Sequence, residues 1–366
     1  MSTWEAIFST ASYVLPNGGL PALIWMYVVT VFGFGAAIFS MAEMASMAPT
    51  SGGQYHWVST IRTADPVIQP TNLLKVSEFA PKSSQKVLSY ITGWLCVLGW
   101  QSGVAAQCFT DALQVQGLII LNNATYVPQP WHAVLLTIAT VTVAAIFNTF
   151  LARKLPLIEN FVLVLHVCGF FAILIPLWVL APRTPSEQVW TGLTQDAGWP
   201  SVGLACLVGL TGPLITLIGP DSAVHMAEEV RDASRVLPWA MVSTLVLNGV
   251  SGFIMVITFA YCIGPLDQAV QPPYFFAFIG TFFTATGSYG GTTVMTLIIV
   301  IMIFCSAIAN VATASRQMFA FARDRGLPFA DFVSYVSVST HPPRIHLADK
   351  RLRRFALAGT SLSTAC

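Results

Sequence analysis

GWPSVGLACLVGLTGPLITLIGPDSAVHMAEEVRDASRVLP, residues Gly198–Pro238, begins as an apolar run and is broken in its middle. Its first half is apolar enough to enter a bilayer. Gly209, Gly212, Pro213, Gly219 and Pro220 interrupt it, and Asp221, His225, Glu228 and Glu229 follow at once. Glycine and proline weaken the helical hydrogen-bond ladder, and in lipid every freed backbone group needs another partner. Such a break survives where the backbone is buried in protein or lines a wet cavity, as in the interrupted helices that hold substrate in secondary transporters. A plain kinked helix is the alternative, since glycine and proline are common in membrane spans. Clustering of the breakers ahead of an acidic run favours the functional reading.

Composition agrees. Of 366 residues, 55% are hydrophobic and 9% charged, and mean hydropathy is +0.70. Soluble domains carry about 25% charged residues, so the chain reads as an all-α, polytopic transmembrane helix bundle. The net charge of +1 points to no nucleic acid. Six of the seven cysteines fall in apolar runs and none forms a CxxC, so neither a disulfide framework nor a metal site is expected. Residues 1–15 lack a basic n-region, so no cleavable signal peptide is expected.

Residues 1–19 are too short and polar to span and are expected as an outer segment. Apolar runs follow at Leu20–Ala48, Val87–Leu121, Trp131–Leu151, Leu157–Ala181, Ser201–Val224, Leu237–Ile263 and Thr292–Phe321, each near or above the roughly 20 residues a crossing helix needs. Basic residues set the orientation. Arg62, Lys75, Lys82, Lys86, Arg153, Lys154, Arg231, Arg235, Arg316, Arg323 and Arg325 fall on one side, expected to be cytosolic, against Arg183 alone on the other. The Asn123-Ala124-Thr125 sequon falls on the expected outer side, as does a long loop at residues 267–290 with a short Phe-rich interfacial helix.

Charged side chains inside spans cost about 2.5–3.5 kcal/mol and call for an explanation. Asp111 shares a helical face with Gln107 and Gln114, as either a polar stripe on a cavity or a group snorkelling to the interface. His166 lies mid-span, where it could couple proton movement or bond a backbone carbonyl as a core histidine. Glu43 and Glu159 lie at expected cytosolic ends, as gate or anchor. Asp221, Glu228 and Glu229 could pair with Arg231, Arg235 or Lys154 when a cytosolic gate shuts, or form a solvated helix end.

Three motifs carry a resemblance. Ala42-Glu43-Met44-Ala45-Ser46 running into Pro49, Ser51-Gly52-Gly53, Tyr55 and Trp57 is the first. Gly219-Pro220-Asp221 with His225-Met226-Ala227-Glu228-Glu229-Val230 and Pro238 is the second, and Thr313-Ala314-Ser315-Arg316 with Phe321-Ala322-Arg323-Asp324-Arg325-Gly326-Leu327-Pro328 the third. Together they resemble the amino acid–polyamine–organocation permeases, in the fungal branch that holds GABA, choline and general amino acid permeases. The resemblance implies a LeuT-like inverted-repeat fold of twelve helices, of which residues 20–337 would supply helices 2 to 8. It places substrate at the unwound zone of helix 6, here Thr211, Gly212, Ile215, Thr216, Leu217 and Gly219. It places His166 where some relatives carry a cation on helix 5. His166, Asp221, Glu228 and Glu43 are then the candidates for proton coupling or gating.

Departures from the pattern suggest an incomplete fold lacking helix 1 and helices 9 to 12. Val58-Ser59 recurs as Val76-Ser77, and removing residues 58–75 restores a family-like run, as a translated intron would. Residues 338–366 read as a frameshifted tail. Helix 6 is then expected to face a vacancy, and the chain as written is not expected to transport alone.

The resulting expectation is a secondary active transporter in the plasma or vacuolar membrane. It would move an amino acid or related amine by alternating access with protons, without cofactor, its partners being substrate, protons and membrane lipid. A seven-helix receptor is the alternative. Enzymatic chemistry is not expected, because no nucleophile–base or metal-spaced set appears.

Overall fold

The computed structural model describes residues 2–58, 83–264, 269 and 274–335. The suspected intron beyond Val58 and the tail 338–366 lie outside them. The described residues are helical, with no strand among them. Residues 1–318 form one compact unit and residues 319–366 a second.

Among the described residues, seven helices or helix sets are long and apolar enough to cross a membrane, and they make this an integral, multi-pass membrane protein. They are α2 (Gly19–Met47), α4 (Gln85–Asn122), α5 (Pro130–Phe150), α6 (Leu155–Leu180), the segmented span Val202–His225, α11 (Ala233–Cys262) and α13 (Tyr289–Arg323). Short α3 (Gln54–Val58) and α7 (Ser186–Trp190) lie between them. Local chemistry sets several boundaries. Gln129 caps α5, whose first residue is Pro130, and proline is also found in the first turn of α6, where its missing N–H costs nothing.

Two expectations are corrected. Residues 1–19, expected outside, fold as a helix, α1 (Thr3–Val14), and its turn into α2. Trp4, Phe8, Ala11 and Val14 are wholly buried. α1 packs on α2, on α11 and on both halves of the segmented span, so the place expected to be vacant is filled. A helix of 12 residues is about 18 Å long, half a bilayer, so a full-length hydropathy window passes over it. The Phe-rich helix expected at the interface is α12 (Ala277–Thr286), and it too is core: Phe278 and Phe282 are fully buried. Phe8 meets Phe259, Phe278 and Phe282 at centroid distances of 5.3–5.7 Å, joining α1, α11 and α12 in one aromatic cluster.

α2 lies along α11, with the Tyr27 hydroxyl donating to the carbonyls of Asn248 and Gly249. α13 is tied to α4 and α5 through amides: Gln107 donates to the Ile303 carbonyl and Asn148 to that of Ile308. In the second unit, the chain turns through Arg325 and Phe329, both at positive φ, into the short α14 (Ala330–Val333).

Candidate functional site

The segmented span divides into α8 (Val202–Gly209), α9 (Thr211–Leu217) and α10 (Ser222–His225). Its expected breakers do two different things. Leu210 keeps a helical conformation, so α8 and α9 are nearly continuous. The real interruption comes after Leu217, where Ile218 turns extended (φ −64°, ψ 142°) and Gly219 takes φ +112°, a region that favours glycine. Gly209 and Gly212 instead let α1 approach. A methyl at Gly212 would lie 2.5 Å from Val14 Cγ2 and 3.0 Å from the Thr10 carbonyl, and one at Gly209 would lie 2.8 Å from the Asn17 carbonyl. Small residues at such spacing are how membrane helices bring backbones together.

α1 and the α8–α9 pair therefore run antiparallel, and the first turn of α1 meets the last turn of α9. Thr3 Oγ1 donates to the Thr216 carbonyl at 3.0 Å. A helix start presents free N–H groups with partial positive charge and a helix end presents free carbonyls. Here both are buried side by side, a pair of poles suited to a carboxylate and an ammonium. The six residues expected to bind substrate are not brought together. Gly212, Thr216 and Leu217 are buried on the face toward α1, Thr211 and Ile215 are exposed on the opposite face, and Gly219 occupies the break.

His166 does not bond a backbone carbonyl. Its Nδ1 lies 2.7 Å from Glu5 Oε1, in the first turn of α1. Glu5 is wholly buried and His166 is 21% exposed. Glu5 Oε2 and Trp4 Nε1 are buried without a hydrogen-bond partner among the described residues. One turn along α1, Ser9 accepts a hydrogen bond of 2.6 Å from Gln114.

A second cluster forms past the break, against the loop that carries the first motif. Gln54 Nε2 donates to Asp221 Oδ2 at 2.7 Å, and Ser51 Oγ to Glu228 Oε1 at 2.7 Å. His225 is 1% exposed, with Nδ1 2.9 Å from the Ser51 carbonyl and Nε2 accepting from Trp100 Nε1 at 3.2 Å. Glu229 pairs with Arg316 at 2.5 Å, not with the arginines or lysine nearer in sequence. Asp221 and Glu228 thus join one network. Glu43 is exposed.

Asp111 is buried rather than snorkelling, its Oδ2 accepting from Thr140 at 3.2 Å. The stripe it shares with Gln107 and Gln114 is the contact of α4 with α1, α5 and α13.

Residues 2–346 match the family model described as amino acid permease. The chain belongs to the amino acid permease family. It is similar to a Macrophomina phaseolina protein named as a candidate amino acid/polyamine transporter, 30% identical over 337 residues, 92% of this chain and 70% of that relative. Amino-acid permease 2 of Neurospora crassa is 26% identical over 356 residues, 93% of this chain and 60% of its own length. The choline transporter of Saccharomyces cerevisiae is 24% identical over 344 residues, 93% and 58% respectively. The chain thus spans between 58% and 70% of these three relatives' own lengths.

Membership of this permease family, with names that describe transporters and no enzyme, removes the ground for the receptor alternative. Sequence reasoning missed Thr3, Glu5, Gln54 and Trp100. The signal for the first two was present: Trp4, Ile7, Phe8, Ala11 and Val14 recur at helical spacing, with polar residues between them.

Proposed function

We propose that this permease-family chain is the substrate-holding part of a secondary carrier for an amino acid or related amine, working by alternating access with protons as the coupling ion. The observation that carries the reading is the burial of α1's first turn against α9's last turn at the break, joined by Thr3 and Thr216. First-turn amides of α1 would receive a substrate carboxylate, and the carbonyls of Thr216–Gly219 an ammonium. Of the positions expected to bind substrate, Thr216, Leu217 and Gly219 keep that role. Gly212 acts by letting the helices approach, and Thr211 and Ile215 face away. GABA, choline and neutral amino acids are the substrate classes the reading selects, in the plasma membrane or, alternatively, the vacuolar membrane. Asp221 and Glu228 act as a gate through Gln54 and Ser51, and His166 acts in proton coupling.

Uptake by the carrier of which this chain is part, purified into liposomes, tests this. Radiolabelled GABA, with choline and neutral amino acids as competitors, should accumulate faster with the outside acidic than at equal pH. Ligand binding without flux at either pH would overturn the carrier reading.

A further inference from the structure

Glu5, on α1, and His166, on α6, face each other in the bundle. They stand 161 residues apart in sequence, yet Oε1 and Nδ1 lie 2.7 Å apart, so a proton lies between them. Glu5 Oε2 has no partner among the described residues. Of the elements against α1, α6 brings His166 itself, and α4, bonded to Ser9 through Gln114, carries the buried Asp111, whose carboxyl accepts from Thr140. With neutral imidazole and ionised carboxyl, the pair holds an uncompensated negative charge in an apolar bundle, which is costly. One added proton makes it neutral, either as carboxylate with imidazolium or as carboxylic acid with imidazole. His166 is 21% exposed where Glu5 is wholly buried.

We propose that Glu5 and His166 together hold the transported proton, and that its uptake is coupled to the charge of the substrate. The second half rests on the carrier reading above. Glu5 shares the first turn of α1 with Thr3, so a substrate carboxylate received there lies beside the Glu5 carboxyl. Two like charges at close range disfavour each other. A carboxylate-bearing substrate therefore binds best when the pair has gained its proton, and by linkage its binding draws the proton in. A cation without a carboxylate has the opposite preference. The sign of the pH dependence should reverse between the two.

The test measures binding of GABA, a zwitterion, and of choline, a cation, to purified protein between about pH 5.5 and about pH 7.5, the range where histidine titrates. For the wild type, GABA affinity should rise toward acid and choline affinity fall, by up to about tenfold per pH unit, the limit for one linked proton. In Glu5→Gln, which keeps shape and a hydrogen bond, both should become flat. If Glu5→Gln does not fold, His166→Gln, which leaves a donor facing the carboxylate, should flatten them equally. Parallel shifts for both probes, or a pH dependence that survives in Glu5→Gln, would overturn the proposal. A second readout needs no substrate. Trp4 lies 5.6 Å from the His166 ring, so imidazole protonation should quench its fluorescence, read as wild type minus Trp4→Phe. A pH transition lost in His166→Gln and displaced in Glu5→Gln sustains the proton site even if neither probe binds, in which case the carrier reading alone fails. Absence of the transition in the wild type overturns the site.

Discussion

Thr3 and Thr216, 213 residues apart in sequence, are joined by one hydrogen bond of 3.0 Å from a hydroxyl to a backbone carbonyl, and both residues are buried. That bond ties the start of one short helix to the end of another, at the one place in the segmented span where the helical ladder stops. Thr3→Val keeps the shape of the side chain and removes the donor, leaving a carbonyl short of a partner. A loss of about 1–3 kcal/mol of stability is expected, and Thr3→Ser should recover most of it. In binding assays Thr3→Val should weaken GABA by about tenfold, if the pole it stabilises receives substrate. Equal stability of the valine and serine variants would show that the bond contributes nothing.

Glycines in the segmented span separate into those that admit α1 and those that do not. Gly212→Ala places a methyl against Val14 and the Thr10 carbonyl, while the same change at Gly203 meets nothing within 4 Å. Overpacking of this kind costs about 1–3 kcal/mol. Gly203→Ala should instead be neutral or gain up to about 1 kcal/mol from helix propensity. Denaturation midpoints of the two variants should fall on opposite sides of the wild type or nearly so. Coincident midpoints would mean that α1 is not seated on α9.

Gly219 offers a cleaner test of the break itself. No atom lies within 4 Å of the position a methyl would take, so Gly219→Ala acts through the backbone alone, at φ +112°. A cost of about 1–3 kcal/mol is expected from strain in a region that L-residues avoid. Because the strain sits where substrate carbonyls are placed, GABA binding should weaken with it. A variant as stable as the wild type would indicate that the chain there readily adopts an ordinary helix.

Most of the membrane architecture could be read from the residues because spanning helices announce themselves by length and apolarity. Leu20–Ala48 became Gly19–Met47 and Trp131–Leu151 became Pro130–Phe150, shifts of a single residue. What could not be read was a half-length helix. Thr3, Glu5, Ser9 and Thr10 make α1 look polar, yet each hydroxyl and one oxygen of the Glu5 carboxyl meet a partner: Thr216, His166, Gln114 or the backbone at Ile7. Those partners are distant or structural, and polarity alone cannot separate a satisfied group from a solvated one. The same limit hid the difference between Gly212 and Gly219. Both read as breakers, and only the path of α1 shows that one of them is a contact.

The junction between the first-motif loop and the residues past the break should behave as a coupled unit. Gln54 and Asp221 share a hydrogen bond to a carboxylate, and such bonds contribute about 1.5–3 kcal/mol. Asp221 Oδ2 also lies 3.9 Å from His225 Nε2. Gln54→Ala and Asp221→Ala should each destabilise, and the double variant should cost less than the sum by about 0.5–3 kcal/mol. Strict additivity would mean that the two side chains do not meet.

His225 is the residue on which that junction converges, and its bonds demand one tautomer. A carbonyl faces Nδ1, which must therefore carry hydrogen, while an indole N–H faces Nε2, which must therefore be bare. His225→Asn keeps an amide donor near Nδ1 and so can still reach the Ser51 carbonyl, but it leaves the Trp100 N–H without an acceptor. His225→Leu fills similar space and satisfies neither, at about 1–3 kcal/mol for each buried group left unpaired. Trp100→Phe removes only the outer donor and leaves the Ser51 bond whole. Stability should therefore descend from wild type through Trp100→Phe and His225→Asn to His225→Leu, measured as denaturation midpoints in one detergent. A leucine variant as stable as the wild type would show that packing, not this pair of opposed hydrogen bonds, holds α10 against the loop.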